Sequence, residues 1–229
     1  MEALRKLKES GRLELSILLA ATSIFSFALS LARYYLTGST LFLFLNWNLF
    51  LAFIPWMIST VILISPQLAK QKVISWCLLF TWVIFFPNSP YILTDLFHLR
   101  HSTAAPIWFD FVLILSFAWT GLMYGFVSLM DIENILFRKF SKLGRTALTT
   151  LLLFSGGFGI YLGRFLRWNS WDIIQDPAGL AYDIGDRFVN PMDHPRTWCV
   201  TILVGLLLNI MYRSMKLIRG DFQPGISQE

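Results

Sequence analysis

The chain is built from long, nearly uninterrupted apolar runs separated by short polar segments. A helix of about 20 apolar residues is long enough to cross the ~30 Å hydrocarbon core of a bilayer. Six such runs lie at 13–35, 41–65, 73–97, 107–130, 146–166 and 197–212. They predict an all-α fold, a polytopic membrane helical bundle of about six transmembrane helices. Because no linker or low-complexity tract divides the chain, residues 1–229 are expected to form a single integral membrane domain.

The third run is interrupted by Pro-Asn-Ser-Pro at 87–90. Only 14 residues of the run precede Pro87, which as a helix would cover about 21 Å, less than the hydrocarbon core. Proline lacks the backbone donor and clashes with the preceding helical turn. We therefore predict a break in the third helix within the outer leaflet. If an α-helix resumes after it, Tyr91, Asp95 and His98 lie on one helix face.

A polar loop at 167–196 separates the fifth and sixth runs. Asp176-Pro177 is typical of a helix start, since Asp caps free N–H groups and Pro is tolerated in the first turn. Apolar residues then recur at helical spacing at Leu180, Ala181, Ile184 and Phe188. The loop is predicted to carry a short amphipathic helix on the outer membrane surface.

Composition and charge support a membrane protein and exclude a nucleic-acid-binding one. The chain is 55% hydrophobic and only 14% charged, whereas soluble domains carry roughly 25% charged residues. Successive polar segments lie on alternate sides of the membrane. Of the 19 Lys and Arg residues, thirteen fall in the segments on the same side as the N-terminus. By the positive-inside rule that side is the cytoplasm, and both termini lie there. The net charge of +5 therefore reflects topology.

Polar side chains are expected to gather at the outer ends of these helices. The candidate residues are Asn46, Asn48, Asn88, Tyr91, Asp95, His98, Asp110, Arg164 and Arg167. Asp95 and His98 are the candidate catalytic pair, because a carboxylate and an imidazole can exchange protons near neutral pH. The others are candidate substrate contacts, with Arg164 and Arg167 suited to clamping a phosphate or carboxylate.

Each of these assignments has a structural alternative. Asp95 can instead neutralise Arg164 in a buried ion pair, and the two arginines can pair with Asp172 or other acids of the outer loop. Asn46 and Asn48 can instead serve as hydrogen-bonding contacts between helices, the commoner role of asparagine in membrane helices.

No metal or cofactor is predicted. Asp95-x-x-His98-x-x-His101 resembles a metal half-site, but such positions drift around an α-helix and no Cys or Glu joins them. Nucleophile elbows, phosphate-binding loops and dinucleotide-binding glycine motifs are absent from the sequence. The inner halves of the runs also lack ionisable residues, which argues against an ion-coupled transporter but not against a lipid carrier.

Small residues suggest where helices approach closely. Gly121 and Gly125 lie in the fourth run, and Gly159 and Gly163 lie in the fifth. Glycines four residues apart allow close helix contact, so the fourth and fifth helices are expected to pack together. The alternative is that these glycines only reflect the frequency of Gly in membrane helices.

Three segments carry a resemblance to a known family. They are Pro-Asn-x-Pro-Tyr-x-x-Thr-Asp-x-x-His at 87–98, Trp-Asn-Leu-Phe-Leu-Ala at 47–52 and Gly-Arg-Phe-Leu-Arg-Trp-Asn-Ser-Trp-Asp at 163–172. Together they resemble the domain of unknown function 1361 family of bacterial multi-pass membrane proteins. Ser89 departs from the Ala that this family more often has there. The resemblance implies a bacterial membrane protein and transfers no activity and no catalytic residue.

Two functional hypotheses follow from the sequence. The first is an outward-facing site in the bacterial plasma membrane that binds or processes an anionic lipid or a lipid-linked head group. The second is a non-enzymatic assembly or scaffold subunit whose polar cluster only locks the helices together. Under both, the partner that the sequence indicates directly is the lipid bilayer.

Overall fold

The computed structural model describes residues 2–65, 67–68, 71–101 and 104–221. No β-strand occurs in this part of the chain. Six of its helices are long and apolar enough to cross a membrane: Leu13–Thr37, Phe44–Ile64, Lys72–Leu99, Ile107–Ile135, Lys142–Phe165 and Pro195–Arg219. The predicted all-α membrane fold is confirmed. The chain divides into two compact units, Met1–Ser141 and Lys142–Glu229, so a single membrane domain stays a prediction.

Unit 1 contains the first four spans. Its helices are α1 (Glu2–Glu9), α2 (Leu13–Thr37), α3 (Phe44–Ile64), α4 (Lys72–Phe85), α5 (Asn88–Tyr91), a 3₁₀ segment (Ile92–His101), α6 (Ile107–Ile135) and a 3₁₀ turn (Phe137–Lys139). The helix α6 forms the core, because α2, α3, α5 and the 3₁₀ segment all pack on it. Leu113, Ile114, Phe117 and Ala118 of α6 are completely buried. An apolar helix buried in this way is typical of the centre of a bundle.

The third span is interrupted where the prolines predict. Helix α4 ends at Phe85, and Phe86 and Pro87 form a turn before α5. Across the break the Ser89 N–H donates to the Phe86 carbonyl at 3.1 Å, three residues back instead of four. The chain then tightens into the 3₁₀ segment. Ser89 lies inside α5, where its hydroxyl donates to the Ala52 carbonyl of α3 at 3.1 Å.

The break packs against two glycines of α6. A Cβ added to Gly121 would lie 2.8 Å from Ile92 Cδ1 and 2.9 Å from the Ser89 carbonyl oxygen. A Cβ added to Gly125 would lie 2.7 Å from Ser89 Cβ. We predicted that these glycines face the fifth span, but they face the break of the third. Only a residue without a side chain allows the irregular backbone to come this close.

Two buried ion pairs join α2 and the residue that precedes it to α6, one near each end. Arg33 Nε donates to Asp110 Oδ1 at 2.6 Å and Arg33 Nη2 to Oδ2 at 3.3 Å. At the other end Arg12 pairs with Asp131, and the Ser59 hydroxyl donates to the same carboxylate at 2.8 Å. The helices are therefore antiparallel. Helix α6 also continues past the predicted end of its span at 130, because the paired Asp131 is buried inside it.

Unit 2 contains α7 (Lys142–Phe165), α8 (Asp172–Gln175), α9 (Pro177–Val189) and α10 (Pro195–Asp221). Helices α7 and α10 pack closely, since a Cβ on Gly157 would lie 2.9 Å from the Thr201 carbonyl oxygen. Helix α9 begins at Pro177, where the Asp176 carboxylate accepts the Gly179 N–H at 2.9 Å. An aromatic contact between Phe188 and Trp198, with ring centroids 5.2 Å apart, fixes α9 against α10.

Candidate functional site

The structure brings together three of the predicted site residues around the Asp95 carboxylate. Asp95 lies in the 3₁₀ segment and is only 1% exposed. Asn48 of α3 donates from Nδ2 to Asp95 Oδ2 at 2.9 Å. The other carboxylate oxygen, Oδ1, lies 3.9 Å from His98 Nε2. Asn48, Asp95 and His98 therefore form one cluster, which we call the Asp95 cluster.

The 3₁₀ geometry explains this arrangement. A 3₁₀ helix has three residues per turn, so residues i and i+3 lie directly above one another. Asp95 and His98 have this spacing, as do Tyr91 and Thr94, whose hydroxyl donates to the Tyr91 carbonyl at 2.8 Å. The sequence prediction that Tyr91 shares a helix face with Asp95 and His98 assumed one continuous α-helix, whereas Tyr91 ends α5 and the other two lie in the 3₁₀ segment.

His98 connects the buried carboxylate to the surface of unit 1. Its side chain is 33% exposed, and its ring meets Phe44 edge-on with centroids 5.1 Å apart. The 3.9 Å between His98 Nε2 and Asp95 Oδ1 is beyond a direct hydrogen bond, but it is close enough for a charge interaction when the imidazole is protonated. Imidazole exchanges protons near neutral pH, so this pair is chemically able to pass a proton between the surface and a buried carboxylate.

The possible metal half-site of Asp95, His98 and His101 is only partly described. The side chain of His101, the third member of the possible half-site, lies outside the described residues. Within the described residues, no group of three or more His, Cys, Asp or Glu side chains is arranged to hold a metal ion.

Two other predicted contacts use their amides to hold the backbone or to join helices. Asn46 Nδ2 donates to the Ser30 hydroxyl of α2 at 2.9 Å. Asn88 Nδ2 donates to the Phe85 carbonyl at 3.0 Å, at the end of α4. Asn88, directly after the break, thereby satisfies a carbonyl at the end of α4, because its side chain reaches back one turn.

Asp110 lies in a different place in unit 1, bound bidentately to Arg33. The pair is completely buried, with side chains 0% and 1% exposed, and the Arg33 guanidinium carbon lies 4.5 Å from the Phe42 ring centroid. Arg33 was not among the candidate residues singled out from the sequence. A signal was available, because an acid and a base one turn inside facing ends of two spans are expensive unless they pair.

Arg164 and Arg167 belong to unit 2, at the end of α7. Arg164 is partly buried, whereas Arg167 is exposed and adopts the left-handed backbone conformation with φ of 65°. The Trp168 N–H then donates to the Leu162 carbonyl at 3.1 Å and closes the helix end. The Arg167 guanidinium makes no ion pair or hydrogen bond within the described part of the chain. The Asp95–Arg164 ion pair remains a prediction.

The acids of the 167–196 loop have partners of their own. The Asp172 carboxylate accepts the Asn169 N–H at 2.6 Å, and Asp183 Oδ2 accepts Trp168 Nε1–H at 2.7 Å. Asp186 accepts from Asn190 Nδ2 at 2.8 Å and lies 2.7 Å from His194 Nε2. The bond from Asn190, followed by that from His194, lowers the pKa of Asp186 below its ordinary value.

Comparison with known proteins gives a family and nothing finer. The model of a family described as protein of unknown function, DUF1361, matches residues 47–211, which cover all three recurring segments and the Asp95 cluster. No curated protein and no solved structure is significantly similar to the chain. Since the match covers well over half of its length, this multi-pass membrane protein belongs to the DUF1361 family.

Proposed function

We propose that the protein binds an anionic lipid or lipid-linked head group at the outer face of a bacterial plasma membrane. If it is an enzyme, it also processes that head group. The observation that carries the proposal is Arg167, an exposed arginine at the end of a membrane-length helix with no ion pair or hydrogen bond from its guanidinium to the described residues. Arginine binds phosphate through two parallel hydrogen bonds. Arg167 also opposes the charge bias that places basic residues in the cytoplasm.

The proposed roles follow the contacts of each unit. Arg164 and Arg167 bind the anion, and Asp95 and His98 move protons if the head group is processed. Asn48 holds the Asp95 carboxylate in position. Tyr91 stays a candidate contact with the head group.

Asn46, Asn88 and Asp110 are proposed to be structural, since their polar groups already bind other parts of unit 1. An active site requires its reacting groups to be held in a fixed geometry, and these three residues would supply that by fixing the surrounding helices.

A scaffold role is the second candidate. It is favoured by the 1% exposure of Asp95, because a carboxylate buried in this way is closed to a head group that approaches from outside the protein. In that case the Asp95 cluster fixes how the broken span packs on α3, and the protein's role lies in binding other membrane components. The two candidates differ in whether lipid binding depends on charge.

Lipid binding tests the proposal directly. The full chain is purified in detergent and titrated with phosphatidylglycerol, which is anionic, or phosphatidylcholine, which is not, and bound lipid is counted by native mass spectrometry. We expect a preference for phosphatidylglycerol that falls about tenfold in Arg167→Gln, the effect of losing one hydrogen bond to a charged group. Arg138→Gln is the matched control, because Arg138 is equally exposed but predicted to be cytoplasmic. Equal binding of both lipids by the wild type contradicts the proposal.

The orientation has its own test. Single cysteines replace Lys139 or Asp183 in a chain whose Cys77 and Cys199 are changed to Ala. An impermeant thiol reagent applied to intact cells is expected to label position 183 and not position 139, because the basic loop is cytoplasmic. Labelling at 139 with none at 183 would reverse the proposed topology.

A further inference from the structure

A cavity of about 450 Å³ opens in unit 1, where the end of α2 meets the start of α6. Its size is within the roughly 300–1,000 Å³ range of small-ligand sites. Residues lining it include Arg33, Leu36, Thr37, Ala105, Trp108 and Phe109. The lining is apolar apart from Arg33 and Thr37, and the Asp95 cluster contributes nothing to it.

Arg33, which lines the cavity, carries one buried donor that no described residue uses. Arg33 donates from Nε and Nη2 to Asp110, but its buried Nη1 has no hydrogen-bond partner among the described residues. A buried donor without a partner costs about 1–3 kcal/mol, and more when it is charged. The second polar group of the lining is already engaged, because the Thr37 hydroxyl donates to the Arg33 carbonyl at 2.8 Å. An acceptor oxygen supplied from outside would satisfy Nη1.

The surroundings indicate where that oxygen comes from. Leu36 and Trp108 on the cavity rim are 79% and 68% exposed, and both belong to membrane-length helices. Arg33 lies four residues before the end of α2, so the pair lies within about 6 Å of the end of that span. In a bilayer this depth corresponds to the boundary between hydrocarbon and head groups, where the glycerol esters of phospholipids lie.

The charge of the site selects among lipid oxygens. Arg33 is neutralised by Asp110, so the pair offers a directed N–H donor but no net positive charge. A neutral carbonyl suits such a donor, whereas a phosphate would bring an uncompensated negative charge next to the Asp110 carboxylate.

We propose that this cavity binds one diacyl phospholipid, with Arg33 Nη1 donating to an ester carbonyl of the lipid and the apolar lining receiving the first part of an acyl chain. Binding is indifferent to the charge of the head group. This distinguishes the cavity from the Arg164–Arg167 region, where anionic lipid is preferred, and the inference does not rest on that function.

The test compares phosphatidylcholine with its diether analogue, which has the same head group and no ester carbonyls. Native mass spectrometry of the full chain in detergent is expected to show one tightly retained diester molecule and about tenfold weaker retention of the diether. Ester-linked phosphatidylglycerol and ester-linked phosphatidylcholine should be retained at this site equally tightly. Equal retention of diester and diether, or a strict requirement for the anionic lipid, overturns the assignment.

Two variants locate the effect. Ala105→Trp fills the cavity and is expected to remove the retained lipid, while Leu143→Trp, at an exposed position of α7, leaves it unchanged. Arg33→Met combined with Asp110→Leu removes the donor but keeps the site apolar and well packed, so the preference for the diester should disappear. A preference that survives in this double variant, or retention unchanged in Ala105→Trp, refutes the proposal.

Discussion

Replacing Asp110 by Asn tests whether the Arg33–Asp110 pair fixes α2 to α6. The substitution keeps the shape of the side chain and removes its charge. It leaves the Arg33 guanidinium, whose side chain is 1% exposed, without the carboxylate that now binds it through two hydrogen bonds. The guanidinium must then either stay buried with its charge uncompensated or pull away from α6.

The expected magnitude is large compared with the stability of the protein. Breaking a buried ion pair by removing one partner costs about 3–5 kcal/mol. A domain is stable by only about 5–15 kcal/mol, so the loss is a substantial part of the total. Replacing both partners by apolar residues of similar volume is often neutral or stabilising. Arg33→Met with Asp110→Leu is therefore expected to recover most of the stability lost by Asp110→Asn.

The assay is unfolding of the purified chain in mixed micelles with increasing dodecyl sulfate, followed by circular dichroism of the helices. The matched control is Glu9→Gln, which breaks the Arg5–Glu9 pair, where the side chains are 71% and 66% exposed. This exposed pair should contribute no more than about 0.5 kcal/mol. A loss from Asp110→Asn as small as that of the control, or a double variant less stable than Asp110→Asn, would show that the pair does not fix the two helices.

Three further predictions concern other positions. Gly125→Val pushes against the break of the third span and should lower the stability of the protein by about 1–3 kcal/mol. The control Gly185→Ala, where a Cβ meets nothing within 4 Å, should not destabilise the protein. Equal effects of the two substitutions would refute the close packing. Arg167→Gly should raise stability by about 1 kcal/mol, because glycine adopts positive φ without strain, and a loss of stability would contradict this. Asp95→Asn should destabilise if it pairs with Arg164, and adding Arg164→Gln should then restore part of the loss. Additive losses would exclude the pairing.

Length and hydropathy were sufficient to predict the spans and the break. A membrane helix must satisfy its backbone hydrogen bonds internally and must reach across the hydrocarbon core. These requirements act on local sequence, so fourteen residues followed by Pro87 already imply an interruption. The family resemblance could be recognised for the same reason, because its three segments are local.

Side-chain partners depend on which helices pack together, and the local sequence does not determine this. Arg33 and Asp110 are 77 positions apart, and no periodicity links them. The 3₁₀ segment was missed because α and 3₁₀ helices place polar residues at overlapping spacings. Asp95 and His98, three residues apart, lie close together in the 3₁₀ segment, whereas Tyr91 was grouped with them on an α-helical spacing that does not continue past α5. The packing partner of Gly121 was predicted wrongly because a small residue permits close contact with any helix and does not indicate which one.

The two ion pairs between α2 and α6 also set a fixed length. Arg12 and Arg33 are separated by 21 positions, and so are Asp110 and Asp131. At 1.5 Å per residue each interval measures about 31 Å, close to the ~30 Å thickness of a hydrocarbon core. Neither helix can slide along the other without separating both pairs, so the pairs keep the hydrophobic length of unit 1 constant. A thinner or thicker bilayer must therefore deform to match that length. Such mismatch costs a fraction of a kcal/mol per Å, enough to sort proteins among membranes of different thickness.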